Sequence, residues 1–178
     1  VKPKKGLWII RVYPESIVTG LYNMWLPMQQ MTGGNVFFLR SNPDMTITTP
    51  GTARQVITAG GYRVANRSIF ADSGRGYTTA GEIKPDFVAP AVDIYGPGLR
   101  GNYLTFTGTS AAAAITAGAV AQVMQWAIVE QKQPTMSNAG IKNMLIRGAQ
   151  KSVDRSYPNR EWGYGILDVY QSFEKLRQ

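Results

Sequence analysis

With 178 residues, 44% of them hydrophobic and 17% charged, the chain is long and apolar enough to enclose a core and is not a disordered segment. Its net charge of +8, from 19 basic and 11 acidic residues, is scattered except at Lys2, Lys4 and Lys5, and no nucleic-acid-binding motif accompanies it, which argues against a nucleic-acid partner. The absence of cysteine excludes disulfides and thiolate metal sites, the absence of histidine removes the commonest general base, and 19 glycines with 10 prolines imply short elements joined by many turns.

Leu7 to Tyr13 is β-branched and aromatic, is stopped by Pro14, and predicts a strand; Val36-Phe37-Phe38-Leu39 predicts another. Pro27 and Gly33-Gly34 mark turns between them. Asn42-Pro43-Asp44 reads as a turn. Gln55 to Gly60 is a short apolar run closed by Gly60-Gly61, the pattern of a buried strand. Lys84 to Pro90 predicts a strand confined by Pro85 and Pro90, and Asp93-Ile94-Tyr95 and Tyr103 to Phe106 predict two more. Lys84 reads as a surface lysine, and Asp72 and Asp86 as turn or edge residues.

From Ser110 to Glu130 the pattern changes to helix formers without proline, roughly 30 Å of helix at 1.5 Å per residue. No apolar run reaches the roughly 18 residues of a membrane span, and Thr116, Gln122 and Gln125 interrupt this one, so a buried helix is expected. Its first half is almost all alanine, threonine and glycine. Gly118 costs about 1 kcal/mol relative to alanine inside a helix, which predicts close approach of another element there. Ser137 caps a second expected helix, with Ile141, Met144 and Leu145 on one face and Gly148 near its end. Trp162 to Gly165 is a turn, and Asp168 caps a last helix through Leu176. Strands first and helices later, with a strand leading into a helix at Ser110, give an α/β fold class.

The chemistry concentrates at Gly108-Thr109-Ser110. A serine hydroxyl needs a base to take its proton and donors for the oxyanion it creates. A serine at a helix N-terminus supplies one donor, its own unpaired backbone N–H, and the helix dipole adds partial positive charge. On this motif alone, Thr109 or Ser110 acting simply as an N-cap is the more economical reading.

The wider context resembles the subtilisin-like serine proteases. Their Lys-Pro-Asp-x-x-Ala-Pro-Gly and Gly-Thr-Ser-x-Ala segments are matched in order by Lys84 to Ala91 and by Gly108 to Ala112. Gln55 to Gly60 is similar to their buried strand, which usually ends Val-Gly-Ala, and Trp162 to Asp168 is similar to their closing glycine-rich segment. The match runs from about Arg54 to Phe173. The Ala-rich run after Ser110 and the Tyr157-Pro158-Asn159 to Gly165 ending resemble the clostridial-type subtilases of spore germination. Ala114 and Ile115 replace the usual proline and histidine, neither of them catalytic, and Ala91 stands where glycine is usual.

The resemblance implies a parallel-sheet fold with a long central helix starting at the nucleophile, Ser110. It implies that the chain is the C-terminal part of one catalytic domain, with residues 1–53 a family-specific insertion and 54–178 the core. The family's aspartate and histidine precede its serine in sequence. Neither their segments nor the oxyanion-hole asparagine segment is matched here, and Asn35 does not fit that motif. Loss of such a donor alone costs about 100- to 1,000-fold in rate. The chain alone is therefore expected to be inactive, with base and aspartate supplied by an upstream part of the same domain. A Ser-Lys arrangement through Lys84 is the chemical alternative. By resemblance, Gly101 to Gly108 line the substrate cleft, the partner is a protein or peptide substrate, and the setting is extracytoplasmic or spore-associated. The natural substrate would be the pro-form of a cortex-degrading hydrolase. No cofactor is expected; calcium use would follow only from the family, with no site identified. The exposed remainder of a truncated domain predicts homo-oligomers. The competing function is a pseudoprotease that binds partners in germination and cleaves nothing.

Overall fold

In a computed structural model, residues 4–27 and 29–176 are described, and the chain divides into two compact units, Val1–Ser41 and Asn42–Gln178. Among the described residues of the first unit the regular element is one short helix, α1 (Gln29–Thr32). The strands expected at Leu7 to Tyr13 and Val36 to Leu39 do not form: both segments are irregular, and Leu7 to Tyr13 is exposed throughout. A β-prone sequence becomes a strand only when another strand takes its N–H and C=O groups, and no ladder reaches these segments.

The second unit is mixed α/β. Its sheet has the order β2-β1-β3, with β1 (Ala59–Arg63), β2 (Ser68–Ile69) and β3 (Phe87–Pro90). β1 and β3 run parallel, registered from Ala59 opposite Phe87 to Tyr62 opposite Pro90, while β2 returns antiparallel on Tyr62 and Arg63. The strand expected from Gln55 therefore begins later. The Thr58 N–H is taken by the Asp86 carboxylate at 2.7 Å, so the ladder starts at Ala59. On its other side β3 is flanked by the Trp162 to Asp168 segment: Val88 N–H donates to the Gly165 carbonyl at 2.9 Å, and Leu167 N–H to the Val88 carbonyl at 2.8 Å.

After β3 the chain makes an exposed antiparallel hairpin, β4 (Ile94–Pro97) and β5 (Tyr103–Phe106), with Tyr95 and Tyr103 stacked at 5.3 Å. It then enters α2 (Thr109–Met124), which ends in a π-helical turn at Gln125–Val129. α2 lies over β1 and β3 through buried Ala112, Thr116, Ala119 and Val123. Its other face is uncovered: Ala113, Ala114, Ala117, Gly118 and Ala121 are exposed, and a Cβ placed on Gly118 would meet nothing within 4 Å. The close approach expected at Gly118 is thus not made among the described residues. By length and composition the stretch Thr109–Val129 could cross a membrane, with 28% of its most apolar window buried; those properties alone do not separate a core helix from a span.

α3 (Asn138–Gly148) starts as expected, with the Ser137 hydroxyl accepting from the Gly140 N–H at 3.2 Å. α4 (Val169–Glu174) is capped by Asp168, which accepts from the Gln171 N–H at 2.9 Å, and stops short of Leu176. Phe87, Val123, Ile141, Met144 and Leu145 form the main core between sheet and helices, with Trp126 and Phe173 meeting edge to face at its border.

Candidate active site

Ser110 stands where the parallel strands end. β1 and β3 both point toward it, and in open α/β sheets the crevice at the carboxyl ends of the strands is where ligands bind. Two hydrogen bonds fix its turn. Gly108 N–H donates to the Ala91 carbonyl at 2.7 Å, and Asp93 N–H donates to the Thr107 hydroxyl at 3.0 Å. The feet of the β4–β5 hairpin are thereby joined, and the entry to α2, which follows β5, is tied to the end of β3. Gly108 adopts φ 146° and ψ 161°, a conformation that a side chain would oppose, and so turns the backbone sharply into the helix.

Neither Thr109 nor Ser110 is an N-cap, which overturns the economical reading of the motif. Gly108 holds the cap position and has no side chain to fill it, so Thr109 and Ser110 are the first two helical residues. Ala111 N–H closes onto the Gly108 carbonyl at 3.0 Å, while among the described residues the N–H groups of Thr109 and Ser110 have no backbone acceptor. No acidic residue stands in the first turn to cancel the helix's positive end. The Ser110 side chain is exposed, and among the described residues no hydrogen bond ties up its hydroxyl. The result is an accessible alcohol beside a free donor at a positive helix end.

Lys84 contradicts its surface reading, while Asp86 lies in a bend at the entry of β3, as a turn or edge residue would, but is buried. Lys84 and Asp86 are each 1% exposed. The Lys84 ammonium donates to the Val56 carbonyl at 2.6 Å, the Thr58 hydroxyl at 3.0 Å and the Asp86 carboxylate at 3.0 Å. Lys142, which sequence reasoning did not single out, brings a second ammonium from α3 to the other Asp86 oxygen at 2.7 Å. Burial pushes the Lys84 ammonium below its ordinary pKa, and the adjoining Asp86 carboxylate opposes that shift. The cluster sits at the entry of β3, whereas Ser110 is held at its exit, a strand length of about 13 Å away at 3.3 Å per residue. Lys84 is therefore not the base for Ser110, and the Ser-Lys alternative has no geometric support. Asp72 lies in an exposed turn as expected, Asn42-Pro43-Asp44 forms an Asx turn with Asp44 N–H on the Asn42 side chain at 2.9 Å, and Asn35 falls in the first unit. Among the described residues no three His, Cys, Asp or Glu side chains converge where they could hold a metal ion.

The segments that matched in sequence are contiguous in space. Lys84 to Pro90 lies between β1 and the Trp162 to Asp168 segment, and its exit carries the Gly108-Thr109-Ser110 turn. This is the arrangement of a serine-protease domain of the subtilisin type. A model of the subtilase family matches residues 31–165, and the chain belongs to that family. A solved structure, the CspB protease of Clostridium perfringens, is similar at a TM-score of 0.77 and 33% identity, covering 81% of this chain and 32% of that one. The likeness agrees with the clostridial-type resemblance of the sequence. Serine protease AprX of Bacillus subtilis is 31% identical over 153 residues, covering 74% of this chain and 33% of AprX. The membrane-bound transcription factor site-1 protease of Mus musculus is 30% identical over 137 residues, covering 74% of this chain and 12% of that protein. The chain thus spans about a third or less of each of these relatives.

Proposed function

We propose that this chain carries the nucleophile of a subtilisin-type serine endopeptidase, and that the nucleophile is Ser110. The observation that carries the reading is the Ser110 hydroxyl itself: accessible, without a partner among the described residues, beside its own free N–H, at the strand-to-helix turn of a subtilase-family chain. In the proposed reaction the Ser110 oxygen attacks the scissile carbonyl and its proton passes to a histidine. The Ser110 N–H holds the oxyanion, and the same histidine returns the proton to the leaving amine. The histidine and its aspartate come from a segment upstream of residues 1–178, in keeping with the order Asp, His, Ser. The chain by itself then leaves Ser110 without a base and is inert.

The finer proposal rests on the likeness to CspB and on the Ala-rich run after Ser110. It places the protein in spore germination, outside the cytoplasm or on the spore, acting on the pro-form of a cortex-degrading hydrolase. A fluorophosphonate probe tests the chemistry. The 178-residue chain stays unlabelled, complementation with an upstream segment carrying the aspartate and histidine brings labelling, and Ser110→Ala abolishes it. Stoichiometric labelling of Ser110 in the chain alone would overturn the division of the triad. No labelling after complementation would favour a partner-binding pseudoprotease.

A further inference from the structure

Gly61, near the end of β1, sits against the residue that holds the Ser110 turn. A Cβ placed on Gly61 would lie 2.6 Å from the Ala91 methyl and 3.4 Å from the Thr109 methyl. We infer that Gly61 and Ala91 are a matched pair that positions Ser110: the space a methyl at 61 would need is filled by the methyl at 91. The inference rests on Ser110 being the nucleophile.

Gly61 cannot retreat, because its N–H donates to the Ser73 hydroxyl at 2.9 Å, its carbonyl accepts from Phe70 N–H at 2.9 Å, and β3 flanks it in the ladder. Ala91 is fully buried against Ala89, Val92 and Ala112. Its N–H is held by the Tyr62 carbonyl at 2.9 Å, and its own carbonyl accepts the Gly108 N–H that anchors the nucleophile's turn. Carbon atoms settle at about 3.5–4.0 Å, so a methyl at 61 must push Ala91 by about 1 Å. That push reaches Ser110 through the Ala91 carbonyl, which holds Gly108, while the Thr109 methyl at 3.4 Å is already in van der Waals contact and closes the space on that side. Gly61 and Ala91 touch no reacting atom and act as positioning residues. A misplacement of about 1 Å away from the chemistry costs about 100-fold in rate.

The test compares wild type, Gly61→Ala, Ala91→Gly and the double variant. In the 178-residue chain the ¹H–¹⁵N resonances of Gly108, Thr109 and Ser110 are followed; in the complemented enzyme the rate of fluorophosphonate labelling is measured. Gly61→Ala is expected to move those three resonances beyond any change in α3 and to slow labelling about 100-fold. Removing the competing methyl in the double variant is expected to restore both. Ala91→Gly alone keeps the carbonyl acceptor for Gly108 and is expected to change labelling by less than Gly61→Ala. A residue that only supports the core would lower the melting temperature without displacing Ser110 selectively. Unmoved Ser110 resonances in Gly61→Ala, or a double variant no better than it, overturns the inference. If Gly61→Ala does not fold, the double variant decides: wild-type Ser110 resonances support the pairing and failure to fold overturns it. If complemented wild type does not label, the proteolytic reading has failed and the resonances alone judge the pairing.

Discussion

Replacing Asp86 with asparagine should destabilise the second unit far more than replacing Lys84 with methionine, although the two side chains are partners and equally buried. The Asp86 carboxylate accepts from Thr58 N–H at 2.7 Å, Lys84 at 3.0 Å and Lys142 at 2.7 Å. Asp86→Asn keeps the volume and one oxygen but leaves two ammonium groups facing a neutral amide, one of them 1% exposed. Stranding a buried charge in this way costs about 3–5 kcal/mol. For a unit of this size that lowers the melting temperature by about 10–15 °C, at about 3 °C per kcal/mol. Lys84→Met removes the desolvated charge itself and leaves Asp86 bound to Lys142 and Thr58. What it loses is the donation to Asp86, the Val56 carbonyl and the Thr58 hydroxyl, about 1–3 kcal/mol in all, since Lys142 remains within 3.4 Å of the Val56 carbonyl and the Thr58 hydroxyl keeps its bond to Gly51. Urea unfolding followed by tryptophan fluorescence measures both, since Trp126 and Trp162 are packed against the core. A loss in Asp86→Asn no larger than in Lys84→Met would refute the assignment of Asp86 as the shared counter-ion.

The same cluster sets a pH dependence. Unfolded Lys84 holds its proton to about the ordinary lysine value of 10.5, whereas folded Lys84 releases it earlier, so between those points the unfolded state binds more protons. Wild-type stability relative to Lys84→Met should therefore rise with pH on approaching 10.5, and a flat or falling difference in urea titrations would contradict the burial. Gly148→Ala should cost more than the usual helix gain, about 2 kcal/mol or more, because the new Cβ would lie 2.0 Å from the Ser172 hydroxyl and 2.4 Å from its Cα. Unfolding curves check this, and a stabilised variant would show that α3 and α4 do not meet there. The uncovered face of α2 and the exposed apolar residues of the first unit predict self-association of the chain, and light scattering showing a clean monomer at high concentration would count against it.

Features whose cause is local were legible in the sequence. The Ser137 and Asp168 caps need only an oxygen three residues before a helical N–H, and Phe87 to Pro90 and Tyr103 to Phe106 are bounded by their own prolines and glycines. Leu7 to Tyr13 misled because its β character is a preference that only a partner strand can satisfy. Lys84 misled for a related reason: its burial depends on Val56, Thr58 and Lys142, which are remote in sequence. One signal was available, since Lys84 and Asp86 are opposite charges only two residues apart and can pair locally. At Ser110 the residues suggested a nucleophile, but only the structure showed that Gly108 leaves the helix end without a side-chain cap and that Lys84 belongs to the other end of the strand.

The joined feet of the β4–β5 hairpin carry an evolutionary consequence. The excursion from Ala91 to Gly108 leaves and rejoins the fold at one hydrogen-bonded neck, with the hairpin projecting into solvent beyond it. Insertions, deletions or wholesale exchange of the projecting part would alter what surrounds the serine without relocating the serine itself. Lineages built on this framework could diversify their recognition at the hairpin while the strand-to-helix turn stayed fixed, and the same neck marks the place to graft foreign loops in the laboratory.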